Sequence, residues 1–159
     1  MFVNHKEHSS YNGINIAQGY LDGKVTLMMG ATGGIGYDSC LALAQMGSDI
    51  GILYFKDQQR TEDLAADVRK LGRQAYLIEQ DLERTGLLQG VVERFVQDAG
   101  HIDILVSVAG VADLVAYKDV TISQMERTYR INTMVLFFLA QQIAVKFMVA
   151  QRGAGRVIL

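Results

Sequence analysis

Residues 24–36 read Lys-Val-Thr-Leu-Met-Met-Gly-Ala-Thr-Gly-Gly-Ile-Gly, and the fold follows from this stretch. Lys24 to Met29 is a short β-branched and apolar run that stops at a glycine, the pattern of a buried strand. The cluster Gly30-Ala31-Thr32-Gly33-Gly34-Ile35-Gly36 comes next. Ile35 to Met46 then carries Leu41, Leu43 and Ala44 at helical spacing and stops before Gly47, as a helix with a glycine after its end would. In a strand, turn and helix that follow directly on one another, each glycine has a task. Gly30 permits the sharp turn, Gly34 lacks the Cβ that would keep a pyrophosphate from the backbone, and Gly36 lets the helix pack close to the strand. The helix N-terminus supplies unpaired N–H groups and the positive end of its dipole, so a dinucleotide is the expected ligand. The spacing is G-x-x-x-G-x-G; a G-x-G-x-x-G reading fails because its third glycine would fall on Ser39.

Outward from this turn the period of the apolar residues keeps switching. Asp49 to Phe55 reads as a second buried strand, Thr61 to Leu71 as an amphipathic helix on Leu64, Val68 and Leu71, and Gln74 to Glu79 as a third strand. Leu87 to Val96 is a helix with Leu88, Val91, Val92 and Phe95 inward, Ile102 to Val108 a fourth strand, Thr121 to about Gln151 a long helix, and Gly155 to Leu159 a fifth strand. Alternating strands and helices on short connections require parallel strands joined by right-handed crossovers, with helices on both faces. The fold class is a doubly wound α/β sheet. The last segment, Arg156-Val157-Ile158-Leu159, is a buried-strand sequence with nothing after it, so the fold is expected to be cut short after its fifth strand.

Composition bounds the function. The chain has 159 residues, 50% hydrophobic and 20% charged, enough for one domain with a sizeable core. Lys plus Arg total 15 and Asp plus Glu 17, a net charge of -2 that gives no footprint for nucleic acid or an anionic membrane. One cysteine, Cys40, rules out an internal disulfide or a thiolate zinc site and fits the cytoplasm; it is expected to be a small buried hydrophobe. The absence of proline lets helices and strands run unbroken. Residues 1–20 read as a loose arm without a signal-like apolar run, and 21–159 as the domain. Met134 to Ala150, interrupted by Gln141, Gln142 and Lys146, reads as a buried helix, not a membrane span. His5 and His8 read as bystanders in the arm, and His101 as a turn residue at the edge opposite the ligand. No metal site is expected.

Several segments, in order, resemble the short-chain dehydrogenases/reductases. Leu21-Asp22-Gly23-Lys24-Val25 is similar to the family's entry into its first strand, and Gly30, Gly34 and Gly36 match its cofactor glycines, with Thr32, Gly33 and Ile35 in the same loop. Asp81-Leu82 stands where the family sets an acid against the adenine. Ile104 to Gly110 resembles its strand ending in N-N-A-G, which makes Ala109 and Gly110 cofactor contacts, and Asn132 matches the asparagine that the family counts in its catalytic set. The likeness covers about Leu21 to Leu159 and implies an NAD(P)(H)-dependent oxidoreductase acting on a carbonyl or secondary alcohol. It departs at Met29, where the family has Thr, and at Ser107 and Val108, where it has two asparagines; these changes imply a less firmly held loop. The family's catalytic Ser and Tyr-x-x-x-Lys, in which the lysine lowers the pKa of the proton-donating tyrosine, would follow the fifth strand and are absent. The 159-residue chain alone is therefore expected to be inactive, the alternative being a non-catalytic dinucleotide-binding or assembly module. Tyr20 and Lys24 have that spacing but precede the first strand, a coincidence.

Cofactor choice turns on the end of the second strand, where an acid would bind the ribose 2′-hydroxyl of NAD and a base the 2′-phosphate of NADP. Tyr54-Phe55-Lys56-Asp57 stands there, and Lys56 gives a slight preference for NADP. Asp113, Tyr117 and Lys118 lie near the crevice without an assigned role. The apolar long helix and the strand edge left uncovered imply a homo-oligomer.

Overall fold

The structure, a computed structural model, describes residues 19–84, 86, 88–151 and 155–159. The expected arm, with His5 and His8, lies outside these residues except at 19 and 20, which form a turn. Strands β1 (Val25–Met29), β2 (Asp49–Tyr54), β3 (Ala75–Glu79), β4 (Ile104–Ser107) and β5 (Arg156–Ile158) alternate with helices α1 (Gly34–Gln45), α2 (Gln58–Lys70) and α3 (Leu88–Ala99). One long helix, α4 (Ile122–Met148), precedes β5. All strands pair in parallel in the order β3-β2-β1-β4-β5. The doubly wound sheet is as expected. From β1 the chain winds outward through β2 to β3, then crosses back to lay β4 on the other side of β1. The order therefore reverses between β1 and β4.

Alternation along β1 divides the core. Val25, Leu27 and Met29 face α3 and α4, where they meet Val92, Phe95, Leu139 and Ile143. Met28 faces α1 and α2 with Cys40, Ala44, Leu64 and Val68. Every β1 residue is buried, as a central strand covered on both faces must be. Gly51 in β2 is small for a packing reason: a Cβ there would lie 2.6 Å from the Phe95 ring.

Three expectations need correction. β5 is exposed along its length, because among the described residues no element covers its outer edge, so its apolar sequence does not make it a buried strand here. The long helix is not uniformly buried. Val135, Leu136, Leu139 and Ile143 pack inward while Met134, Phe137, Phe138 and Val145 face outward; by length and composition the helix could cross a bilayer, but one face is committed to the sheet. Nor is it regular, since Arg130–Val135 and Ala144–Met148 are π-helical turns. Its start is fixed by a capping box: Gln124 N–H donates to Thr121 Oγ1, and Thr121 N–H donates back to Gln124 Oε1.

Candidate functional site

A crevice of about 360 Å³ opens beyond the carboxyl ends of the strands, at the point where their order reverses. Ligands of open α/β sheets bind at that place. Its floor is the turn after β1. Gly30 has φ +79°, which only glycine adopts without strain, and a Cβ on it would lie 2.7 Å from the Ala109 backbone. Gly36, inside α1, is buried; a Cβ there would run into Gly30 O and stand 2.9 Å from Ala31 Cα. The two glycines thus bring β1, α1 and the loop after β4 together at backbone contact. Gly34 and Ile35 open α1 and are exposed, so the first turn of the helix presents its N–H groups to solvent beside the crevice.

Met29, Ser107 and Val108 replace the polar residues that the resemblance led us to expect, and the structure shows what holds the turn without them. Val108 N–H donates to Met29 O at 3.0 Å, Gly33 N–H to Gly30 O at 3.1 Å and Tyr37 N–H to Gly33 O at 2.9 Å. Met29 is fully buried. The bonds that hold the turn are thus backbone to backbone, and among the described residues the buried Ser107 Oγ has no partner.

Of the residues singled out in the sequence, Gly30, Thr32, Gly33, Asp81, Leu82, Ala109 and Gly110 line the crevice. Asp81 Oδ1 accepts from Glu83 N–H at 2.9 Å, which shapes the loop after β3. Lys56 stands at the rim: it follows β2 with φ +62°, and its ammonium lies 4.8 Å from the centroid of the Phe55 ring, a crevice-lining side chain. Asn132, in the first π-helical turn, is exposed and stands beside the loop after β4, not among the crevice-lining residues. Its Oδ1 accepts from Val111 N–H at 2.8 Å and its Nδ2 donates to Val111 O at 2.9 Å. Both ends of the amide thus hold the loop after β4. The π turn, with its i→i+5 bonding and wider girth, belongs to the local geometry that places Asn132 there.

Tyr54, Phe55, Gln80, Glu83, Val111, Arg127 and Ile131 also line the crevice; the sequence marks Tyr54 and Phe55 only through cofactor choice and does not mark the others as crevice residues. Arg127 is the main omission. It donates from Nε to Glu83 Oε1 at 2.8 Å and lies 3.5 Å from Asp113 Oδ1. Its partners are 44 and 14 residues away, so no local pattern marked it. Tyr20 and Lys24 lie elsewhere. Lys24 pairs with Asp103 at 3.0 Å, beside His101, at the amino ends of β1 and β4, the end of the sheet away from the crevice. Burial pushes the Cys40 thiol up to about 12. Among the described residues no three His, Cys, Asp or Glu side chains are placed to hold a metal ion.

Comparison with known proteins agrees with this fold. The chain is 30% identical over 138 residues to an L-rhamnose 1-dehydrogenase (NAD(P)(+)) of Sphingomonas sp. (strain SKA58), covering 87% of this chain and 54% of that protein. It is 32% identical over 139 residues to a versicolorin reductase of Emericella nidulans, covering 87% and 51%. A solved NAD+-bound xylitol dehydrogenase superposes with a TM-score of 0.78 at 30% identity, over 86% of this chain and 52% of that one. The chain spans about half the length of the curated relatives it matches. Residues 24–159, from the first residue of the β1 run to the last of the chain, match the short chain dehydrogenase family as a whole, and the chain belongs to that family.

Proposed function

We propose that the crevice binds a nicotinamide dinucleotide and that the protein is an oxidoreductase of a carbonyl or secondary alcohol. The observation that carries this reading is the backbone-tight glycine turn at the reversal point of the sheet, where a Cβ on Gly30 or Gly36 would collide with backbone. The glycine turn and the N-terminus of α1 would hold the pyrophosphate, with Thr32, Gly34 and Ile35 presenting backbone N–H groups while Gly33 N–H stays bonded to Gly30 O and keeps the turn in shape. Asp81 and Leu82 on one side, and Val108, Ala109 and Gly110 on the other, would wall the adenosine. Asn132 acts one step back, by fixing Val111 and with it the loop that follows Gly110. The bound nicotinamide would supply or accept the hydride.

NADP is the favoured form. The Lys56 ammonium lies over the ring of Phe55, a crevice-lining residue, and would meet a 2′-phosphate there, and no carboxylate stands at Tyr54 or Phe55 to take a 2′-hydroxyl. A cytoplasmic location and self-association through the outward face of α4 belong to the same reading. The test is calorimetric titration of the chain with NADPH. Gly34→Val, at an exposed position, is expected to weaken binding about tenfold or more, with the melting temperature measured alongside to show that the variant is folded. Lys56→Glu is expected to cost NADPH more than NADH. Equal NADPH affinity for the wild type and Gly34→Val would refute the assignment of the loop, and equal losses of the two cofactors would remove Lys56 from the phosphate site. Turnover by the 159-residue chain would exclude the alternative of a binding or assembly module without catalysis.

A further inference from the structure

Arg127 lines the crevice together with Glu83 and bonds to carboxylates from two separate loops: Glu83 in the loop after β3 at 2.8 Å and Asp113 in the loop after β4 at 3.5 Å. We propose that Arg127 is a positioning residue for dinucleotide binding, a latch that ties both loops to α4 and holds the outer wall of the crevice in place. The proposal rests on the reading of the crevice as a dinucleotide site.

The loop after β4 shows why such a latch is needed. Residues 112–120 are exposed throughout, with Leu114 and Tyr117 each 97% exposed, so apolar burial does not hold them. Asn132 secures the loop at Val111, and Arg127 takes it two residues further on, at Asp113. Within the loop, Val115 N–H bonds back to Asp113 O, so fixing Asp113 fixes the turn beyond it. On the other side Glu83 is itself bonded through its N–H to Asp81, a residue of the proposed adenosine wall. One guanidinium therefore spans the crevice between its two walls. An arginine suits the task because its planar fork carries donors on separate nitrogens that can meet two carboxylates at once. Glu83, Asp113 and Asp81 all act to keep it protonated.

Two measurements on the whole chain test the latch. In the ligand-free protein, Arg127→Gln and Asp113→Ala should each speed amide hydrogen exchange at Val115, by about three- to fivefold for an ion pair at a surface. In titrations with NADPH, both variants should bind about three- to fivefold more weakly. Asp113→Ala gives the sharper result because its sign is at stake: removing a negative charge near a polyanionic ligand would raise affinity if charge alone mattered, whereas the latch requires a fall. Losses in the double variant should be no larger than in the worse single one, since both remove the same link. Unchanged exchange at Val115, or tighter NADPH binding by Asp113→Ala, would overturn the proposal. If the wild type bound no dinucleotide, the reading of the crevice would fall, while the exchange rates would still decide whether Arg127 holds the loops.

Discussion

Gly36→Ala adds a single methyl group to the interior of α1, and the structure fixes where that methyl would go. It would run into Gly30 O and stand 2.9 Å from both Ala31 Cα and Gly30 C. These are backbone atoms at the foot of the glycine turn, so no side chain can rotate away, and α1 must separate from β1. Overpacking of this kind costs about 1–3 kcal/mol, with a backbone clash at the upper end. Against it stands the gain from replacing glycine in a helix, about 1 kcal/mol. The net expectation is a loss of about 2 kcal/mol, which for a domain of this size lowers Tm by about 4–8 °C. Gly90→Ala in α3 supplies the control. A Cβ there meets nothing within 4 Å, so the helix gain of about 1 kcal/mol stands alone and Tm should rise by about 2–4 °C. The same substitution is thus expected to have opposite signs in two helices of one protein, read by calorimetric or circular-dichroism melting. If Gly36→Ala melted at or above the wild-type temperature, the close approach of α1 to the turn, and the cradle built on it, would be wrong.

Three further outcomes are expected. Cys40 is fully buried with its thiol pushed up to about 12, so a thiol reagent at neutral pH should leave the folded chain unmodified and label it fully in denaturant; prompt labelling of the native protein would contradict that burial. Tyr37, Tyr54 and Tyr76 are each held above the usual phenol value of 10.0, in each case chiefly by burial, with Asp67 adding to the shift at Tyr37 through a hydrogen bond of 2.8 Å. A raised folded-state pKa contributes stability that is present below pH 10 and lost above it, as the unfolded tyrosines ionise first; the urea midpoint should therefore fall between pH ~8 and ~11, and less so in Tyr37→Phe, while an unchanged midpoint would refute the assignment. Phe137 and Phe138, 58% and 51% exposed on the outward face of α4, should drive self-association in sedimentation at tens of micromolar, weakened by Phe138→Lys; a clean monomer would show that this face needs no cover.

The sequence alone determined the elements and their order, because those rest on patterns only a few residues long. β1 is legible in Val25 to Met29, the turn in its glycines, and the end of α1 in Gly47, where φ is +108°. Parallel strands follow from the alternation of elements, and the place of the crevice follows from parallel strands. The loop residues Asp81, Ala109 and Gly110 were reached through a family likeness, and the fold brings them to the same crevice as Gly30. Tertiary structure alone decided what depends on partners distant in the chain. Arg127 bears on the crevice because the sheet brings Glu83 within 2.8 Å of it, and the residues around Arg127 carry no mark of that meeting. Asn132 was likewise reached through the family likeness, and its hold on Val111 exists only because α4 packs beside β4 and the loop after it. The exposure of β5 is of the same kind: its apolar residues state a preference for burial, and only the arrangement of neighbouring elements determines whether that preference is met.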